Sequence, residues 1–266
     1  MRPSPSASLQ QRVLVFGDSV VFGGSQMDQD LISTSILQKR LREKRPEAEV
    51  MNVSAGSWGP GNWRGYGKTY GFFDATDVIL VISSHDAYDN PTFSHLNPTT
   101  HPVQNPPFAL FELVSRYLQP SRIWYQLLGS RLGSSLNREQ SAEARKLPNP
   151  KAKSGGNISN SEAINIGLAD LDAFLIKAKD SGARVAVVQF WERQEVKNGL
   201  PGLGHKQIMD VLARHEIRVV QSLDYFRACS DNPARELFVD DIHPYTPAGQ
   251  KCLADALQSA LDEDVK

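Results

Sequence analysis

Two cysteines, Cys229 and Cys252, in 266 residues are too few to staple a chain of this length, so a disulfide-built scaffold is excluded. The expectation is two reduced or buried thiols, with a single bridge between them left open. No stretch reaches the roughly 18 consecutive apolar residues that a membrane-spanning helix needs. Neither sign of charge dominates: 29 Lys and Arg face 30 Asp and Glu, for a net charge of −1, and no basic stripe stands out. Nucleic acid and anionic membrane surfaces are therefore not expected partners. Internal repeats are missing. The opening segment, Met1-Arg2-Pro3-Ser4-Pro5-Ser6-Ala7-Ser8, is polar and lacks an apolar signal-peptide core. As written the chain reads as cytoplasmic, or as a mature periplasmic or secreted domain whose export signal was removed.

Hydrophobic residues make up 40% and charged residues 22%, the balance of a globular domain large enough for a well-covered core. Residues 1–11 read as a flexible N-terminus and 12–266 as one domain. Short apolar runs predict five strands at 13–16, 50–53, 78–82, 184–190 and 217–220. The run Val78-Ile79-Leu80-Val81-Ile82 has no polar alternation, as expected of a strand buried on both faces. Between the runs, helical spacing marks 30–45, 160–180 and 204–215, and Thr246-Pro247 opens a C-terminal helix reaching about 262. Strands alternating with helices predict a three-layer α/β/α sandwich around a mainly parallel five-stranded sheet. Ligands bind such sheets beyond the carboxyl ends of the strands. Residues 87–157 break the rhythm, contain no convincing strand, and are read as an insertion placed to form a lid or substrate wall.

Three loops at that expected edge carry polar side chains. Ser19 follows the first strand in Gly17-Asp18-Ser19, and Asp240-Asp241-Ile242-His243-Pro244 precedes the last helix. A serine hydroxyl is a weak nucleophile until a base takes its proton, and histidine is the side chain suited to that near neutral pH. A carboxylate beside the histidine fixes its tautomer and stabilises the imidazolium. Asp240 and Asp241 both compete for that role. The G-x-S-x-G elbow of the other large serine-esterase fold is absent, since Val21 occupies its last position.

Gly17-Asp18-Ser19 resembles the first signature of the GDSL/SGNH hydrolases. Asn52-Val53-Ser54-Ala55-Gly56 resembles their second segment, and Asp240-x-x-His243 their last, in the right order over nearly the whole chain. The resemblance implies a flavodoxin-like fold and a Ser19–His243–Asp240 triad, with Asp240 preferred because the family places its acid three residues before the histidine. It also implies an oxyanion hole formed by the backbone N–H groups of Ser19 and Gly56. The third family segment, Gly-x-Asn-Asp, is altered here to Ser83-Ser84-His85-Asp86. His85 is read as an oxyanion donor in place of the asparagine amide, with substrate contact or packing as the alternatives.

His85, Asp86, Asp89, His95 and His101 match no standard zinc or calcium spacing, so no metal or other cofactor is expected. Trp58, Trp63, Tyr88, Phe93 and Trp124 lie on or near the active-edge loops and could stack on a sugar or line an acyl pocket. Trp58, Asn62, Asp86 and Tyr88 are the candidate substrate contacts, with Arg64 further out. The resemblance implies ester hydrolysis through an acyl-Ser19 intermediate, with a small acyl group on a carbohydrate as substrate. The alternatives are acyl transfer to a sugar hydroxyl and non-catalytic glycan binding. Oligomeric state is left open.

Overall fold

The computed structural model describes residues 11–24, 26–91 and 160–262. Residues 92–157 separate as a unit of their own and lie outside the described residues, as do Phe93, His95, His101, Trp124 and most of the expected insertion.

The five expected strands form: β1 (Arg12–Gly17), β2 (Glu49–Ser54), β3 (Asp77–Ser83), β4 (Arg184–Phe190) and β5 (Arg218–Gln221). All neighbours are parallel, in the order β2-β1-β3-β4-β5. The nine helices among the described residues are α1 (Ser19–Phe22), α2 (Ser33–Lys44), α3 (Pro60–Tyr70), α4 (Asn160–Asp180), α5 (Arg193–Asn198), α6 (His205–Arg214), α7 (Ser222–Cys229), α8 (Pro233–Glu236) and α9 (Pro247–Leu261). Every residue of β1 and β3 is buried, as their unbroken apolar runs require.

Side chains alternate along each strand and so feed two cores. Val13, Val15, Ile79, Val81 and Val188 meet Leu37 of α2, Phe226 of α7 and Leu253 and Leu257 of α9 on one face. Leu14, Phe16, Val78, Leu80 and Val187 meet Trp63 of α3, Leu171 and Phe174 of α4 and Ile208 of α6 on the other. The result is the expected three-layer sandwich.

Three local readings change. Gln11 is part of the folded body, buried and bonded to Asp77 and Arg45. Residues 87–91 belong to this body rather than to an insertion: Ala87 is in the core, and Asn90 donates to the Ala163 carbonyl at 2.9 Å. The two cysteines are bonded, Cys229 on α7 to Cys252 on α9, with Cα atoms 6.2 Å apart. The sequence leaves that bridge open, since nothing local brings together residues 23 positions apart. The packing of α7 against α9 does so, within ordinary disulfide reach.

Candidate active site

The sheet's register sets the site. Gly17 pairs with Ser54, Phe16 with Leu80, and Ser83 with Phe190. Ser19, Gly56, His85 and Glu192 therefore all lie just beyond the carboxyl ends of four adjacent strands. The chain reverses its direction of travel across the sheet between β1 and β3, the position where such sheets open a crevice.

Asp18 caps α1, its Oδ1 accepting from the Val20 N–H at 2.8 Å. That turn brings Val21 back over Gly17: a Cβ at Gly17 would lie 2.5 Å from the Val21 methyl, so the position needs glycine. Trp63, fully buried, donates its indole N–H to the Gly17 carbonyl at 3.1 Å and pins the turn from the other side. Ser19 begins α1, leaving its N–H with no carbonyl behind it in the helix. The Tyr245 hydroxyl donates to the Ser19 carbonyl. Burial, with Asp18 nearby, pushes the Tyr245 phenol up to about 12, so it stays a donor.

His243 Nε2 lies 2.9 Å from Ser19 Oγ, and His243 Nδ1 lies 2.7 Å from Asp240 Oδ2. Asp240 Oδ1 accepts from the backbone N–H groups of Ile242 at 2.8 Å and His243 at 2.7 Å. Partial burial pushes the Asp240 carboxyl up, but the bonds from His243 and Ile242 outweigh it and hold the group below the usual carboxylate range. An ionised Asp240 accepts from Nδ1–H, an arrangement that turns Nε2 toward Ser19 Oγ. Asp241, the competing acid, points elsewhere, 3.9 Å from Arg193 and 3.4 Å from Gln194.

Gly56 sits in an exposed turn after β2, followed by Ser57 in the left-handed region at φ 57°. Among the described residues no carbonyl accepts from the Gly56 N–H, so it is open to a ligand. Asn52, at the end of the same strand, donates to the Val21 carbonyl at 2.8 Å and ties this loop to α1.

His85 lies in a 3-10 turn, Ser84–Ala87, that directly follows β3. Its Nδ1 is 2.8 Å from Glu192 Oε1 and 2.9 Å from Ser83 Oγ. Its Nε2 is 3.8 Å from both Asp18 Oδ2 and Asp86 Oδ1. Burial alone would lower the imidazole's affinity for its second proton. The Glu192 hydrogen bond and the charges of Asp86, Glu192 and Asp18 reverse that and raise the group to about 9. Burial pushes the carboxyls of Asp86 and Asp18 up, each feeling the other acid or the nearby histidines. Asp18, His85 and Asp86 bring one polar atom each within 4.8 Å of one another. A protonated His85 supplies positive charge to the same two carboxylates.

Several expected substrate contacts have structural duties. Asp86 is 1% exposed; its Oδ2 accepts from the Ser83 N–H and hydroxyl, and it supports the turn from behind. Asn62 accepts from the Gly59 N–H at 3.1 Å and caps α3. Arg64 pairs with Asp170 at 3.0 Å. Trp63 is core rather than loop surface, and Trp58 is half-buried against Tyr66. Tyr88 remains on the surface at 37% exposure, beside the acids around His85. Glu192 was missed, although its place just past the strong apolar run of β4 put it at the same edge as the other site residues.

Neither a protein-family model nor a curated protein matches the sequence. Solved structures do match. A two-domain esterase active on acetylated mannans is 9% identical with a TM-score of 0.53, covering 96% of this chain and 51% of its own. The chain thus spans about half the length of that esterase. A putative GDSL-like lipase from Parabacteroides merdae is 14% identical with a TM-score of 0.54, covering 96% of this chain and 98% of its own. A catalytic mutant of an acetylxylan esterase from Geobacillus stearothermophilus is 12% identical with a TM-score of 0.55, covering 96% of both chains. With its all-parallel sheet of order β2-β1-β3-β4-β5 covered by helices on both faces, the chain has the α/β fold of the SGNH hydrolases.

Proposed function

We propose that the protein is a serine ester hydrolase that removes a small acyl group, such as acetyl, from a carbohydrate through an acyl-Ser19 intermediate. The observation that carries this reading is the unbroken relay from Asp240 through His243 to Ser19, at 2.7 and 2.9 Å. His243 Nε2 takes the Ser19 proton as Oγ attacks the ester carbonyl. The carbonyl oxygen becomes an oxyanion, met by the N–H groups of Ser19 and Gly56 and by His85 as third donor. Collapse expels the sugar hydroxyl, which takes its proton from His243. Water then attacks the acyl-serine with His243 again as base, releasing the free acid and restoring Ser19.

The substrate class rests on the neighbours, named as acting on acetylated mannan and xylan. Among the described residues no helix is long and apolar enough to cross a membrane. The Cys229–Cys252 bond supports an oxidising site of action, periplasmic or extracellular.

The test is release of p-nitrophenol from acetyl, butyryl and octanoyl esters by wild type and Ser19→Ala, followed by acetylated xylan and mannan oligomers with and without added sugar acceptor. The reading expects turnover that falls with chain length and drops by roughly 10⁴–10⁶ in the variant. Ser19-independent turnover would overturn it. Acyl appearing on the acceptor instead of as free acid would reassign the enzyme as a transferase. Glycan binding without turnover would reassign it as a binding protein.

A further inference from the structure

We propose that Glu192 is a positioning residue for the oxyanion hole: it holds the Nδ1–H of His85, so that His85 serves the reaction as an imidazolium with its Nε2–H free to donate. The inference rests on the hydrolase reading above and goes beyond it by adding a residue 107 positions from His85 and a pH limit on turnover.

The tautomer argument comes first. Among the described residues Nδ1 has two hydrogen-bonding neighbours, Glu192 Oε1 at 2.8 Å and Ser83 Oγ at 2.9 Å. The Ser83 hydroxyl donates its single proton to Asp86 Oδ2 at 3.0 Å, so toward His85 it can only accept. An ionised Glu192 can only accept as well. Both neighbours therefore demand a proton on Nδ1. A neutral imidazole with its proton on Nδ1 would present a bare lone pair at Nε2, which repels an oxyanion. His85 can act as a donor at Nε2 only when doubly protonated.

The surroundings favour that state. Asp18, in the turn between β1 and α1, and Asp86, on His85's own turn, each lie 3.8 Å from Nε2. Glu192 reaches Nδ1 from beyond β4, and burial pushes the carboxyl of the half-buried Asp89 up, against the opposing pull of the His85 charge. Glu192, Asp86 and Asp18 together outweigh burial and hold the imidazolium up to about pH 9. Among the described residues Asp86 Oδ1 is buried with no hydrogen-bond partner, and the His85 ring 3.8 Å away offers it positive charge.

Glu192 is itself built in. Its backbone N–H donates to Glu195 Oε2 at 2.8 Å, and Glu195 Oε1 accepts from Ser84 Oγ at 2.5 Å. Glu195 is 7% exposed and also accepts from the Gly202 N–H. The start of α5 and the His85 turn are thus bound through one buried carboxylate, which fixes Glu192 relative to His85.

The experiment compares wild type, Glu192→Gln, His85→Asn and the double variant, using kcat and KM for an acetyl ester from pH 6 to 10. It is paired with side-chain ¹⁵N NMR of the histidines in the same proteins. Glu192→Gln should lower kcat roughly 10–100-fold near pH 8.5 with KM little changed. It should also move the alkaline limb of kcat down by roughly one to two pH units, and the NMR titration of His85 by the same amount. His85→Asn should restore a pH-independent amide donor and abolish that limb, and adding Glu192→Gln to it should change nothing further. An unmoved His85 titration in Glu192→Gln overturns the pairing. A moved titration with an unmoved kcat limb overturns the oxyanion role, while Ser19-dependent turnover keeps the hydrolase reading standing. Equal losses from Glu192→Gln with and without His85 reduce Glu192 to packing and overturn the proposal. Turnover that survives Ser19→Ala would sink the hydrolase reading and the catalytic half with it, and the NMR arm would still report the pairing.

Discussion

Replacing Asp240 with asparagine changes one atom's chemistry and almost none of the shape. Asp240 Oδ1 takes two backbone N–H bonds, from Ile242 at 2.8 Å and His243 at 2.7 Å, while Oδ2 takes the His243 ring at 2.7 Å. The introduced amide can turn only one way. Its oxygen must stay on the two backbone donors, because its NH₂ there would set donor against donor. The NH₂ is then delivered to His243 Nδ1, where it donates. That forces the ring proton onto Nε2, the atom 2.9 Å from Ser19 Oγ, and the base becomes a donor facing the nucleophile.

The loop keeps its bonds, so the thermal midpoint should barely move. Turnover should fall about 10⁴-fold, the scale for a triad locked in the wrong tautomer, which corresponds to about 5 kcal/mol in barrier height. Asp241→Asn is the matched control: that side chain is 73% exposed and among the described residues bonds only to Arg193 and Gln194, so activity should stay within about twofold of wild type. The assay is kcat/KM on p-nitrophenyl acetate with folding checked by circular dichroism. A D240N enzyme within tenfold of wild type, or an equal loss in D241N, would refute the assignment of the orienting acid.

Five further outcomes follow from the same geometry. Trp63→Phe removes the indole bond to the buried Gly17 carbonyl and should lower unfolding stability by about 2–3 kcal/mol in urea titrations. Gly167→Ala would put a Cβ 2.2 Å from the Ala87 carbonyl, next to the His85 turn, and should cost about 1–3 kcal/mol together with kcat; Gly65→Ala, with open space at its Cβ, should instead stabilise α3 by up to about 1 kcal/mol. The double variant Cys229→Ala, Cys252→Ala releases a closure across 23 residues and should lose about 3 kcal/mol on the chain-entropy scale, read as a fall in melting temperature. His85, raised from 6.5 to about 9, contributes stability that is fully present below pH 6.5 and lost as pH rises through 9, so the melting-temperature gap between wild type and His85→Asn should shrink across that window.

What the sequence made legible was whatever is local. The apolar runs of β1 and β3 have no polar residue to spoil them, so their burial and their place in the sheet follow from composition alone. Asp240 and His243 are three residues apart and bond to each other within one loop, so the pair can be read before the fold is known. What stayed hidden depends on partners distant in the chain. The α3 segment Pro60–Tyr70 carries three glycines, at 61, 65 and 67, and reads as a loop by propensity. It is helical because tertiary contacts outweigh that cost. Trp63 is fully buried, and Gly61 and Gly67 sit where a Cβ would meet Pro91 and Phe72. The same dependence hid the structural duties of Asn62 and Asp86: their bonds to Gly59 and Ser83 are local, but their burial is not. Only the packing of α7 on α9 distinguishes two thiols from one disulfide.

The exchange at position 85 brings both kinds of information together. An asparagine there would offer a donor at any pH and ask nothing of its neighbours. A histidine offers one only if its second proton is held, and the acids that hold it must not consume the donor they create. The structure separates these demands between the two ring nitrogens. At Nδ1, Glu192 stands at 2.8 Å, a full hydrogen bond. At Nε2, Asp18 and Asp86 stand at 3.8 Å, close enough to stabilise positive charge and too far to accept the proton. Ring orientation, protonation and a free donor thus come from three acids on three segments, one beyond β1, one on the histidine's own turn beyond β3 and one beyond β4. Had Glu192 stood at Nε2 and the aspartates at Nδ1, the ring would be as positively charged and have no donor left to offer.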